Sequence, residues 1–162
     1  MKKFFQILAV AVVLAVAGYA IFRAMASDET RIRWLIEDTI EAFNNSRAGG
    51  TVEGLDEGYR EETAKLTRDE VKLIVLRLFF QERDAQTKDF RFRVEPGKLE
   101  VKLDPAAPLK ASFTLVVEFR ELRGGTYEPG WTAEIDASLE KKEGEWKIVT
   151  SRHKTLSGKR PF

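Results

Sequence analysis

The sequence predicts an α+β domain, with helices first and a curved antiparallel sheet after them, behind one apolar N-terminal segment. Three observations carry this. Apolar residues recur at helical spacing in two stretches before residue 82. From Lys88 the period changes to two. The first 22 residues hold a nearly continuous apolar run behind two lysines.

The first amphipathic stretch starts at Ser27, a residue suited to an N-cap, with Asp28 and Glu29 where a helix dipole favours acids. Ile32, Leu35, Ile36, Ile40 and Phe43 then draw one stripe, and the helix is expected to end near "NNSRAGG". Asn44-Asn45-Ser46 fits a glycosylation acceptor but is read as that helix end. Residues 51–65 are acidic and punctuated by glycine. They predict a short helix or an irregular crossing with Val52, Leu55 and Tyr59 turned inward. In "LTRDEVKLIVLRLFFQERD" Thr67 and Glu70 form a capping box ahead of a helix whose buried stripe is Val71, Ile74, Val75, Leu78 and Phe79. The additional Leu73, Leu76 and Phe80 predict a second contact, with the sheet edge or a partner.

The strands are marked by alternation. Phe90, Phe92 and Val94 precede a turn at "EPGK", and Leu99, Val101 and Leu103 come after it. Ala111, Phe113, Leu115, Val117 and Phe119 share a face, as do Trp131, Ala133, Ile135, Ala137 and Leu139, and then Trp146 and Ile148. One face of this sheet is dry and the other wet, and the amphipathic helices are the available cover.

Composition bounds the function. The chain of 162 residues suits one domain, and 43% hydrophobic with 33% charged residues suits a core under a charged surface. A formal charge of +1 is not the footprint of a nucleic-acid binder. With no cysteine and one histidine the sequence predicts no metal site, no cofactor and no disulfide. G-x-G-x-x-G, Walker and H-E-x-x-H motifs are missing as well.

The N-terminus sets the expected compartment. Lys2 and Lys3 precede a nineteen-residue run from Phe4 to Phe22, polar only at Gln6 and Tyr19, and Arg23 comes next. Positive charge stays cytoplasmic, so the chain after Phe22 is expected beyond the inner membrane, with residues 4–22 as a single-pass anchor. Ala24 and Ala26 offer the alternative, cleavage after Ala26 and release of a periplasmic or secreted domain. The expected organisation is residues 1–26 as signal anchor or signal peptide, 27–156 as the domain, and 157–162 as a basic tail. Residues 27–162 keep 24 of the 27 basic side chains and all 26 acids, leaving about −2 and no electrostatic pull toward nucleic acid.

The order of these elements, with "LTRDEVKLIVLRLFF", "GWTAEIDASLEK" and a closing "GEWKIVTSRH", resembles the nuclear transport factor 2-like superfamily, whose SnoaL-like and cystatin-like members wrap a curved sheet around helices as a cone. The resemblance covers roughly residues 28–156. It implies either ketosteroid isomerase-like, dehydratase-like or cyclase-like chemistry on acidic, histidine or tyrosine side chains inside the cone, or a non-catalytic, membrane-anchored assembly role.

Strand parity puts no ionisable residue on the inner face. It puts His153 outside with Lys147, Val149 and Ser151, without a buried acid partner, and leaves no catalytic residue assigned. Tyr59, among Asp56, Glu57, Glu61 and Glu62, is the candidate ligand-binding residue at the cone mouth. Ala111, Ala133 and Ala137 leave inner-face room for either a close helix or a small apolar pocket, and close packing favours the helix. The outer face carries Lys110, Glu118, Arg120, Glu134, Asp136 and Glu140, so no extensive dry dimer is expected there. The function expected on these grounds is a non-catalytic, membrane-tethered interaction domain with an envelope protein partner. The alternative is an exported binder of small apolar ligands, or an isomerase-like or dehydratase-like enzyme.

Overall fold

The computed structural model describes residues 25–161. The apolar run at residues 4–22, the Lys2-Lys3 pair and Phe162 lie outside them. Helix α1 spans Asp28–Asn44, and the Ser27 hydroxyl accepts from the Thr30 amide at 3.2 Å, as an N-cap does. Its buried residues include Ile32, Ile36 and Phe43, the expected stripe. Asn44 closes the helix and uses its amide on the sheet. Its Nδ2 donates to the Val94 carbonyl at 2.9 Å, and its Oδ1 accepts from the Val94 amide at 2.7 Å.

A second helix, α2, spans Ala48–Glu53, starting inside the glycine-rich stretch. Strand β1 (Leu55–Glu61) comes next, in place of the expected helix or irregular crossing. After the short β2 (Leu66–Thr67), helix α3 spans Arg68–Gln81 behind the predicted capping box. The Thr67 hydroxyl accepts from the Glu70 amide at 3.3 Å, and the Glu70 carboxylate accepts from the Thr67 amide at 2.7 Å. Leu76 joins the core, whereas Leu73 and Phe80 are exposed.

The sheet is completed by β3 (Phe92–Leu103), β4 (Lys110–Arg123), β5 (Thr126–Lys142) and β6 (Glu145–Gly158). Its order is β2-β1-β6-β5-β4-β3. The expected all-antiparallel sheet is corrected to a mixed one, because β1 runs parallel to β6. "EPGK" does not turn the chain. Gly97 and Lys98 oppose the single residue Val116 as a bulge inside one long strand that pairs with β4 on both sides of it, with Pro96 still opposite Val117. Pro96 is tolerated because β3 is an edge strand, where a missing N–H leaves no ladder partner unpaired. An added Cβ at Gly97 would stand 3.2 Å from the Val116 carbonyl oxygen, so the close approach suits glycine.

Helices α1 and α3 cover the concave face. At one end Phe43, Phe79, Phe90 and Phe92 stack edge to face, with Phe79 and Phe90 centroids 4.9 Å apart. Strand β6 continues past the expected domain edge to Gly158. Beyond it Lys159, Arg160 and Pro161 line a crevice of about 290 Å³ with Phe92, Phe119 and Trp131.

Candidate functional site

The deciding feature is one extra residue in β6. Leu139 pairs with Ile148, but Ser138 pairs with Thr150, so Val149 has no partner across the ladder. A bulge of this kind reverses the alternation beyond it. Trp146 and Ile148 point inward before it. After it Ser151 faces Ala137, His153 faces Ile135 and Thr155 faces Ala133, all on the inner side. The outward placement of His153 and Ser151 expected from parity is therefore corrected.

Strand β1, the parallel neighbour of β6, supplies the adjoining side chains on the same face. Its residues Tyr59 and Glu61 are both buried and alternate with exposed Arg60. The Tyr59 hydroxyl lies 2.6 Å from Ser151 Oγ. Glu61 Oε1 lies 3.1 Å from His153 Nδ1. The inner face thus does contain ionisable groups, and His153 does have a buried acid partner. The local sequence marks Glu61 only as one member of an acidic, solvated cluster.

Glu61 is held as an anion. Burial pushes its pKa up, but amide hydrogen bonds from Ala64 and Thr63, with further bonds from the Thr63 hydroxyl and His153, more than offset this and hold it below the usual carboxylate range. An ionised carboxylate accepts only, so Nδ1 of His153 donates to it. In the neutral ring that leaves Nε2 as the acceptor. The backbone of His153 is fixed too, its amide donating to Thr63 Oγ1 at 3.0 Å. The Trp131 ring stands edge-on to the imidazole at 5.9 Å, and its indole N–H donates to Thr155 Oγ1 at 3.0 Å. Tyr59 is a neutral phenol. Burial raises its pKa, the Ser151 bond opposes this, and the charge on Glu61 raises it further.

Tyr59 and Ser151 also line a cavity of about 190 Å³ between α1 and the sheet. Its walls include Ile36, Ile40 and Phe43 of α1, Phe113 and Leu115 of β4, and Ile135 and Ala137 of β5. The room left by Ala137 is thus pocket rather than close helix packing, contrary to expectation. Tyr59 borders this cavity on the inner wall rather than among the solvated acids of its neighbourhood. The arrangement is an apolar chamber with a phenol and a hydroxyl on its wall, and a carboxylate–imidazole pair one strand position further along.

Solved structures share this architecture. The chain superposes on a Mycobacterium tuberculosis protein of unknown function with a TM-score of 0.65 and 16% identity, over 79% of this chain and 76% of that one. A nuclear transport factor 2-like protein with a cystatin-like fold from Novosphingobium aromaticivorans gives 0.64 and 15%, over 90% of each chain. The fold is the cystatin-like, nuclear transport factor 2-like cone. A candidate scytalone dehydratase from the same Novosphingobium species is similar at a TM-score of 0.64 and 13% identity, over 80% of this chain and 85% of that one. No family model and no curated protein matches the sequence. At such identities the likeness is one of fold, and function has to be argued from the site.

Proposed function

We propose that this cone binds a small, mostly apolar molecule carrying one oxygen function, with Tyr59 as its polar contact. The observation that carries the reading is the chamber of about 190 Å³ bordered by the Tyr59–Ser151 pair. Ligand sites are mostly apolar concavities with a few placed polar groups. The non-catalytic contact role expected from the sequence rested on an inner face free of ionisable side chains, and that premise is gone. Where the domain works remains the sequence's proposal. It is held beyond the inner membrane by residues 4–22 or released by cleavage after Ala26, with a dissolved or lipid-borne ligand as its first partner and an envelope protein as another.

A second reading is favoured by the Glu61–His153 pair. A carboxylate that fixes the imidazole tautomer leaves Nε2 as the acceptor able to take and return a proton, the chemistry of an isomerase or dehydratase. The fold likeness to a candidate dehydratase supports this reading without carrying it.

Both readings are tested with the full chain in detergent, using naphthalene and 2-naphthol as probes. The cavity reading expects 2-naphthol to bind to wild type, Ala137→Leu to abolish binding, and Tyr59→Phe to weaken 2-naphthol but not naphthalene. Binding that survives Ala137→Leu sinks it. The single histidine yields one imidazole resonance pair, and the proton-transfer reading expects that pair to move when 2-naphthol binds; resonances that ignore the probe count against proton transfer there.

A further inference from the structure

Among the described residues, large exposed apolar side chains gather in two main places, with Leu156 apart from both. One is the outer side of α3, at Leu73 and Phe80. The other is the β3–β4 connection, where Leu103 is 46% and Leu109 60% exposed beside exposed Pro105 and Pro108. The second is tied to the point where the chain enters the domain. Asp28, the first residue of α1, accepts from Lys141 Nζ at 2.7 Å, and the Lys141 amide donates to the Leu109 carbonyl at 2.8 Å. Met25, 81% exposed, stands just before α1. The apolar loop and the chain's entry therefore share one end of the cone.

The chain ahead of that end supplies the occupant. The nineteen-residue apolar run finishes at Phe22, and five residues separate it from Asp28. Fully extended, that link reaches at most about 20 Å. Lys102 and Lys110 flank the loop and are exposed. Lys110 reaches Glu140 only at 3.8 Å. Lysines beside apolar side chains suit an interface, where the stems lie on hydrocarbon and the ammonium groups meet phosphates.

We propose that this end of the domain docks on a lipid bilayer, with Leu103 and Leu109 entering the headgroup boundary and Lys102 and Lys110 on anionic headgroups. A domain tethered by so short a link cannot leave the surface, so even weak insertion sets its orientation. The inference rests on residues 4–22 acting as an anchor, and its test separates the two.

The chain has no cysteine, so single-cysteine variants can be labelled cleanly. Full-length Leu103→Cys, Leu109→Cys and Leu73→Cys, each carrying an environment-sensitive fluorophore, are reconstituted in vesicles of phosphatidylcholine and phosphatidylglycerol and floated on a density gradient. The proposal expects the protein to float. It expects labels at 103 and 109 to shift to the blue, and to be quenched severalfold more by nitroxide-bearing lipid than the label at 73. A floating protein with all three labels equally open to water overturns the docking and leaves the anchor standing. So does a label at 109 that is shielded from water yet untouched by lipid-borne quencher, which indicates a protein contact. A chain that stays at the bottom of the gradient overturns both.

Discussion

Two ends of the same concave face are built on opposite principles. At one, Phe43, Phe79, Phe90 and Phe92 close on one another and leave no polar atom to satisfy. At the other, Tyr59, Glu61, Ser151 and His153 bring four polar side chains inward, and each has a partner. The aromatic end stabilises by removing apolar surface from water, which is non-directional and tolerant of detail. The polar end is tolerable only because its hydrogen bonds are complete, since a buried carboxylate without them costs several kcal/mol. Such an arrangement depends on register to a single residue, and the Val149 bulge sets that register.

The strongest test of this contrast is deletion of Val149. It joins the two halves of β6 in one parity and turns either Ile148 or His153 to the wrong face, so the expected outcome is loss of the folded state, read by circular dichroism. Next is Phe79→Ala, which removes a ring that touches Phe43 and Phe90. It is expected to cost about 3–5 kcal/mol in urea denaturation while leaving the Glu61–His153 pair intact in the remaining folded protein. A loss under about 1 kcal/mol would mean that the aromatic end is not the main stabilising cluster.

Glu61→Gln should cost less, about 1–3 kcal/mol, because a neutral amide replaces an anion among donors aimed at it. Its signature is in the pH dependence. The folded pKa of Glu61 lies below its ordinary value of 4.5, so its contribution is fully present above that value and is lost as pH falls through the lowered folded pKa. The wild-type urea midpoint should therefore fall more steeply below about pH 4.5 than that of Glu61→Gln, with the difference largest near neutrality. Parallel profiles would show that Glu61 is not held as argued. Smallest is Tyr59→Phe, about 1 kcal/mol or less, since Ser151 loses one hydrogen bond beside a cavity. A loss as large as that of Phe79→Ala would erase the distinction between a supporting core and a ligand wall.

The two long helices and most of the inner face were legible in the sequence because their signals are local. Ser27, Thr67 and Glu70 cap their helices through neighbours in the chain, and the alternation from Ala111 to Phe119 needs only one buried face. Strand β1 was not legible. "LDEGYRE" is polar at most positions and has no strand period, and it is a strand because β6, about ninety residues later, offers it an edge. The site was missed for the same reason. Tyr59 could be singled out as an unusual tyrosine in an acidic stretch, but nothing near Glu61 names His153.

By itself the sequence determined that helices precede a sheet, which residues cap them, which residues of β4 and β5 face inward, and that an apolar run stands ahead of the domain. Those come from period, capping chemistry and hydropathy, all of which act within a few residues. Only the tertiary structure decided that Gly97 and Lys98 bulge rather than turn, that β1 joins the sheet in parallel, and that His153 faces Glu61. Each depends on which strand lies alongside, and a one-residue irregularity such as Val149 reverses the side chains from Thr150 to Thr155 without leaving a mark in the local pattern.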